Sequence, residues 1–387
     1  MRKLALAVCL TSLCAAQSLH ERAFVMDAHV HVMSRQLLQG VEFGDRLPDG
    51  HVDLPRLQAG GIDAVFFSVY TPEAYYPARH EVKNTFRVIE LALDQIEKNK
   101  DRIELALNAS DLERIARSGK VAAFLDLEGA FDLDGDLHVL RALYRLGLRS
   151  LQLTAHNYTN EFADSCCDIP KWGGLNERGR RVIREMNRLG MVINVAHGSN
   201  ETILQTAAES EDPVIYTHGG FRHFIDITRL ISDEAAKAVA AKGGVVGLQF
   251  GNSLNNPEYF RWKHNGPLVS DISTKLEQYK SMTIEQVDQE TVKDLPMVTL
   301  PGSTPEQYQM GVDQLARVID YGVNLLGEDH IALGSDFDGG PLLPREMKDA
   351  SDYGQITIAL QKLGYSEQRI QKILGANLLR VIREVTE

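Results

Sequence analysis

The sequence predicts an α/β fold, a (β/α)8 barrel of the TIM type with a metal site at the C-terminal ends of its strands. Three observations lead there. Eight short apolar runs read as strands, and mostly helical segments separate them. Several of these runs end in histidine or a carboxylate, and a parallel barrel gathers such ends on one face. No G-x-G-x-x-G follows the first run, which argues against a doubly wound dinucleotide-binding sheet.

The first strand, Ala23 to His31, closes on His29-Val30-His31. Residues two apart in a strand point to the same side, so both imidazoles aim into one space. A polar loop containing Gly and Pro runs on to about Leu57. Asp63 to Tyr70 is a continuous apolar run, β-branched and aromatic, as a buried strand requires. His80 to Lys98 reads as an amphipathic helix, and Ser110-Asp-Leu-Glu113 as a capping box opening another that stops before Gly119. Val121 to Glu128 is the third strand. Leu137 to Leu146 is helical, with Gly147 as its stop. Ser150 to His156 is the fourth strand, and Glu177 to Leu189 a charged amphipathic helix halted by Gly190.

Val192 to His197 and Pro213 to His218 are strands five and six, each ending in histidine. Ser199 can cap the helix between them. Ser232 caps the next helix, where Asp233 and Glu234 suit the positive end of the dipole. Gly244 to Phe250 is strand seven. From Gly251 to about Ser303 the alternation lapses, and this stretch reads as an insertion with one helix near Ile272 to Lys280. Thr304-Pro305-Glu306-Gln307 is a capping box with Pro at the first helical position, starting a helix to about Leu326. Ile331 to Asp336 is strand eight. The remainder, to Glu387, reads as helical with a hinge near Gly364.

A chain of 387 residues fits one barrel domain over 21–387, with the insertion at about 251–303. Its 44% hydrophobic content can fill a large core. A formal net charge of -12 and the absence of any basic stripe make nucleic acid and anionic membrane surfaces poor partners. Met1-Arg2-Lys3, an apolar run from Leu4 to about Ala16, and small residues at its end have the layout of a signal peptide over 1–20. That run is too short for a membrane span. Export to the periplasm or medium is therefore expected; the alternative is a helix lying on a cytoplasmic protein. Cys166 and Cys167 are adjacent, and such neighbours are expected not to bridge each other. No CxxC pair points to structural zinc.

The strand ends carry the chemistry. One face of the predicted barrel collects His29, His31, Glu128, His156, His197, His218 and Asp336. A lone histidine at a strand end is ordinarily a hydrogen-bonded polar residue. Five of the chain's twelve, together with two carboxylates, favour a metal site. A pair of divalent metals needs a shared anionic ligand, and Glu128 is the candidate. His29 and His31 can complete one site, His197 and His218 the other. A water shared by two zinc ions loses a proton near neutral pH and becomes a nucleophile. Asp336 suits proton transfer. His156 can donate a hydrogen bond to an oxyanion, or simply hold structure.

These residues sit in a set of motifs: Met-Asp-Ala-His at 26–29, Asp-Leu-Glu-Gly at 126–129 and Leu-Thr-Ala-His-Asn at 153–157. Arg-Glu-Met-Asn-Arg-Leu-Gly-Met at 184–191, Val-Ala-His-Gly-Ser at 195–199 and Pro-Val-Ile-Tyr-Thr-His at 213–218 follow. Gly-Ser-Asp-Phe-Asp-Gly at 334–339 and Asn-Leu-Leu-Arg-Val at 377–381 complete it. In this order they resemble the membrane (renal) dipeptidase family of zinc peptidases, within the amidohydrolase superfamily. The resemblance implies a binuclear zinc dipeptidase, acting through a metal-bridging hydroxide on dipeptides with a free C-terminal carboxylate. It implies His29, Glu128, His197 and His218 as metal ligands with Glu128 bridging, Asp336 as acid/base and His156 as the group that polarises the substrate. Arg229 resembles the arginine that holds the substrate's carboxylate, a role suited to a bidentate guanidinium. Dimers are common in the family.

Two features depart from the family pattern. The usual first motif is His-x-Asp, and position 31 here is histidine, which makes the site more positive. The 251–303 insertion is longer than usual and follows strand seven, on the active-site face. Both leave room for another hydrolase of the superfamily: an N-acyl amino acid amidohydrolase, a lactonase or a deaminase. Strand four ends in His156 rather than in a lysine that could bridge metals as a carbamate, which favours the dipeptidase. A non-catalytic binding protein is disfavoured because every site residue is present.

Overall fold

The computed structural model describes residues 19–73, 76, 79–263, 278–294 and 304–387. Nine parallel strands make one sheet: β1 Met26–Val30, β2 Ala64–Tyr70, β3 Ile103–Leu105, β4 Val121–Glu128, β5 Leu148–Gln152, β6 Val192–Asn194, β7 Val214–Tyr216, β8 Val245–Leu248 and β9 Ile331–Leu333. Eight follow one another around the barrel, and β3 pairs with β4 off that path. The sequence reading missed β3 because its three residues are too few to carry a pattern.

The seam between β1 and β9 is closed by backbone bonds. His31 N–H donates to the Phe337 carbonyl and Asp336 N–H to the His29 carbonyl, each at 2.9 Å. The buried Asp27 carboxylate reinforces it by accepting from Ser335 N–H at 2.9 Å and His29 N–H at 3.0 Å. The register of β1 against β2 shifts between Asp27 and Val30. Met26 and Ala28 belong to the inner apolar cluster, whereas Val30 joins the layer shared with the helices. The shift is what lets His29 and His31 face inward above Ala28.

Strand β4 shows the alternation most plainly. Ala122 and Phe124 lie in the inner cluster, Ala123 and Leu125 in the outer layer, so Asp126 and Glu128 continue the inward row. All eight residues of β4 are buried, as a strand covered on both faces must be. Phe66 and Phe124 stack with centroids 4.9 Å apart. The C-terminal helix Asn377–Thr386 closes the far end through Leu378, Val381 and Ile382. Phe124→Ala would leave a cavity in this plug, and a loss of about 3–5 kcal/mol in chemical denaturation is expected. A loss under about 1 kcal/mol would mean that the ring is not part of the barrel's packing.

Several element boundaries differ from the sequence reading. Helix Ala109–Arg117 is capped by Asn108, whose side chain accepts from Asp111 N–H, and not by Ser110. The chain after Thr304 makes only a 3-10 turn, Glu306–Tyr308, and the helix proper, Val312–Leu326, starts after Gly311. In the tail 340–349 is irregular, a 3-10 turn spans Ala350–Asp352, and the α-helix begins at Gly354. Gly364 is a hinge, with φ +81°.

The insertion is more helical than expected, with Asn252–Asn255, Pro257–Lys263 and Ile284–Asp294. The helix expected near Ile272 to Lys280 falls mostly outside the described residues. Part of the insertion crosses to the loop after β2. Tyr76, Tyr279, Ile284 and Val287 form a small apolar cluster, and Tyr76 Oη donates to Asp288 at 2.6 Å. Arg87 pairs with Asp288 at 2.7 Å. The insertion therefore braces one rim of the barrel mouth.

Candidate metal centre

Seven predicted residues converge at the C-terminal mouth. Glu128, the last residue of β4, presents its two oxygens to two pairs of imidazoles. Its Oε2 lies 3.2 Å from His29 Nε2 and 3.2 Å from His31 Nε2. Its Oε1 lies 3.3 Å from His197 Nε2 and 3.9 Å from His218 Nε2. Within each pair the nitrogens are close, 3.1 Å for His29 and His31 and 2.9 Å for His197 and His218. Asp336 Oδ1 stands 3.2 Å from His31 Nε2 and 3.8 Å from His29 Nε2. The His156 ring packs edge-on to His197 at 5.3 Å.

The strands are shorter than the sequence reading supposed. His156, His197, His218 and Asp336 lie in the turns after β5, β6, β7 and β9, not at strand ends. Apolar neighbours prolonged the strand pattern past the point where the backbone leaves the sheet. His197 and Asp336 take φ of 61° and 63°, a left-handed conformation that few non-glycine residues adopt. Such backbone persists where the surroundings hold it, commonly at functional sites. Two close approaches fix the turn before His218: a Cβ added at Gly247 or Gly334 would overlap the Thr217 carbonyl.

The charge states of His197, His218 and Glu128 suit a cation. Burial, helped by Arg229, depresses His197 to about 4. Burial likewise holds His156 and His218 well below the ordinary imidazole value. Neutral imidazoles offer lone pairs. Burial opposes charge on Glu128, but His29 and His31 outweigh it and hold the carboxyl well below its usual range. Burial also opposes charge on His31, and Glu128 and Asp336 overcome it, raising His31 to about 9. Four imidazole nitrogens around a shared carboxylate make a nitrogen and oxygen donor set that fits zinc or a similar divalent ion.

Arg229, in the loop after β7, is buried beside this cluster. Its Nη2 lies 3.2 Å from His197 Nε2 and its Nη1 donates to Tyr216 Oη at 2.9 Å. Among the described residues no carboxylate reaches it. Four other contacts escaped the sequence reading. Ser68 Oγ donates to Glu128 Oε2 at 2.7 Å, and Gln249 Nε2 to Asp336 Oδ2 at 2.7 Å. Tyr70, aligned with Glu128 across β2 and β4, packs edge-on to His31 at 5.2 Å and donates to Glu73. Ser68 and Tyr70 are legible in retrospect as inward positions of β2; Glu73 is in a loop and carries no pattern.

The expectation that Cys166 and Cys167 stay apart is overturned: the structure joins them in a disulfide. Their turn is pinned by Cys166 N–H to the His197 carbonyl at 2.7 Å, and both side chains are shut from solvent. Cys166 Sγ lies within 4.8 Å of ring nitrogens of His156 and His197.

A family model described as membrane dipeptidase (Peptidase family M19) matches residues 13–387. Dipeptidase tcpJ of Claviceps purpurea (strain 20.1) is 32% identical over 346 residues, covering 87% of this chain and 70% of that protein. Dipeptidase verJ of Clonostachys rogersoniana is 29% identical over 350 residues, covering 87% and 76%. The fold matches the probable dipeptidase PvdM of Pseudomonas aeruginosa, with a TM-score of 0.79 at 23% identity over 97% of this chain and 98% of that one. It also matches a metallo peptidase of Rhodobacter sphaeroides liganded with a phosphinate mimic of the dipeptide L-Ala-D-Ala, with a TM-score of 0.74 at 22% identity over 94% and 99%.

Proposed function

The chain belongs to the membrane dipeptidase family, peptidase family M19, and on that premise we propose that it hydrolyses the peptide bond of dipeptides bearing a free C-terminal carboxylate, with two zinc ions as cofactors. The observation that carries this reading is the split of Glu128 between two imidazole pairs. His29, His31 and Glu128 Oε2 would hold one ion, and His197, His218 and Glu128 Oε1 the other. Bound there, the ions supply Lewis acidity toward the carbonyl and lower the pKa of a water.

The chain's own groups do the rest. Arg229 is a buried guanidinium with no carboxylate partner among the described residues, and a dipeptide's terminal carboxylate would satisfy it by paired charge-assisted bonds. That fixes the scissile carbonyl near Glu128. Burial pushes the Asp336 carboxyl up, but its bond to His31 and that imidazole's charge hold it below the ordinary range. It is therefore ionised, can take the proton that the attacking water loses, and can return it to the departing amine. Gln249 keeps the carboxylate turned inward. His156 is placed to donate to the oxygen of the tetrahedral adduct. His31, in place of the family's aspartate, would ligate as a neutral imidazole after giving up the proton that Glu128 and Asp336 favour on it. The charged start and apolar run of residues 1–20 lead us to place the reaction outside the cytoplasm.

A panel of dipeptides, N-acyl amino acids and lactones tests the reading. Dipeptide turnover is expected to lead, and Arg229→Ala to lower kcat/KM for a dipeptide by about 10²-fold while sparing its C-terminal amide by comparison. Equal effects on acid and amide would remove Arg229 from carboxylate recognition. A preference for lactones or acyl amino acids would favour another hydrolase of the superfamily.

A further inference from the structure

Glu73 is a buried carboxylate to which the preceding chemistry assigns nothing. It follows β2 at the barrel mouth and is only 4% exposed. Tyr70 Oη donates to its Oε2 at 2.8 Å and Asn157 N–H to its Oε1 at 3.2 Å. These partners tie it to the metal cluster from two sides: Tyr70 packs against His31, and Asn157 directly follows His156. Among the described residues no lysine, arginine or histidine comes within ion-pair distance of Glu73. Burial pushes the Glu73 carboxyl up, so charge on it is costly until a cation arrives to pair with it. Beside it, the buried Oδ1 of Asn157 has no hydrogen-bond donor among the described residues. A carboxylate and an orphan carbonyl oxygen together form an acceptor set for a group with several N–H bonds.

Arg229 offers the opposite case, a buried cation without an acid among the described residues. The two flank the same cluster, Arg229 against His197 and Glu73 behind the partners of His31 and His156. A zwitterionic dipeptide carries a carboxylate at one end, an ammonium at the other and the scissile carbonyl between. Building on the dipeptidase reading, we propose that Glu73, with Asn157 Oδ1, binds the substrate's α-ammonium and makes the enzyme select peptides with a free amino terminus. A tie between Tyr70 and Asn157 alone would not need a charge, since a glutamine could accept from Asn157 N–H and donate its amide N–H to Tyr70 Oη.

The test compares alanyl-alanine with its N-acetyl form on the metal-loaded full-length enzyme, wild type and Glu73→Gln. Wild type is expected to favour the free amine. Glu73→Gln is expected to cut the ratio of the two kcat/KM values by about 10- to 100-fold, chiefly through KM for the free dipeptide. The ratio is taken within one sample, so a misfolded fraction cancels. An unchanged ratio in Glu73→Gln, or a wild type that cleaves both forms equally well, would overturn the assignment while leaving the dipeptidase reading intact. A wild type that cleaves neither would overturn both.

Discussion

Asp336→Asn is expected to lower kcat for dipeptide hydrolysis by about 10²- to 10⁴-fold, the usual worth of a positioned acid/base, with the metal content unchanged. The amide keeps the size of the carboxylate and can still face Gln249, so folding should survive. It cannot take a proton at neutral pH. Because Asp336 Oδ1 is 3.2 Å from His31 Nε2, a second reading would make it a metal ligand. Metal analysis on the same sample separates the two: lost turnover with metal retained supports proton transfer, and lost metal supports ligation. A kcat within about threefold of wild type would remove Asp336 from the chemistry.

Glu128→Gln is expected to have the larger effect, at least about 10³-fold on kcat/KM together with loss of bound zinc. The carboxylate has four imidazole nitrogens within 3.9 Å, and it supplies the negative charge that two cations would share. A neutral amide offers one oxygen, so it can serve one imidazole pair but not both. The variant is also expected to change the balance among the imidazoles, because Glu128 is a main cause of the raised pKa of His31. Restoring zinc in excess should recover little activity. Full activity with normal metal content would dissolve the central role given to this residue.

Most of the cluster was legible because it rests on backbone periodicity. His29 and His31 are two apart, Glu128 ends a run of inward and outward residues, and strand ends of a parallel barrel share a face. The precise chain path was not legible. An apolar run does not reveal where the backbone leaves the sheet, so His197 and Asp336 were read into strands although both sit in left-handed turns. Arg229 emerged only from the resemblance, since an arginine in a loop looks like a surface residue until its burial is known. Glu73 was invisible for the same reason: its contacts depend on which loops meet over the barrel mouth, and loop contacts have no period. The Cys166–Cys167 bond was set aside on geometry, because adjacent cysteines seldom bridge. The helical insertion was underestimated because its pieces are short and polar.

The most direct test of the account is the metal content of wild-type enzyme purified without added metal, measured by mass spectrometry on a sample also assayed for dipeptide turnover. The account predicts about two zinc ions per chain and turnover that a chelator abolishes and zinc restores. One ion or none, with no turnover after zinc is returned, would contradict it and would mean that His31 and its neighbours do not hold a binuclear centre.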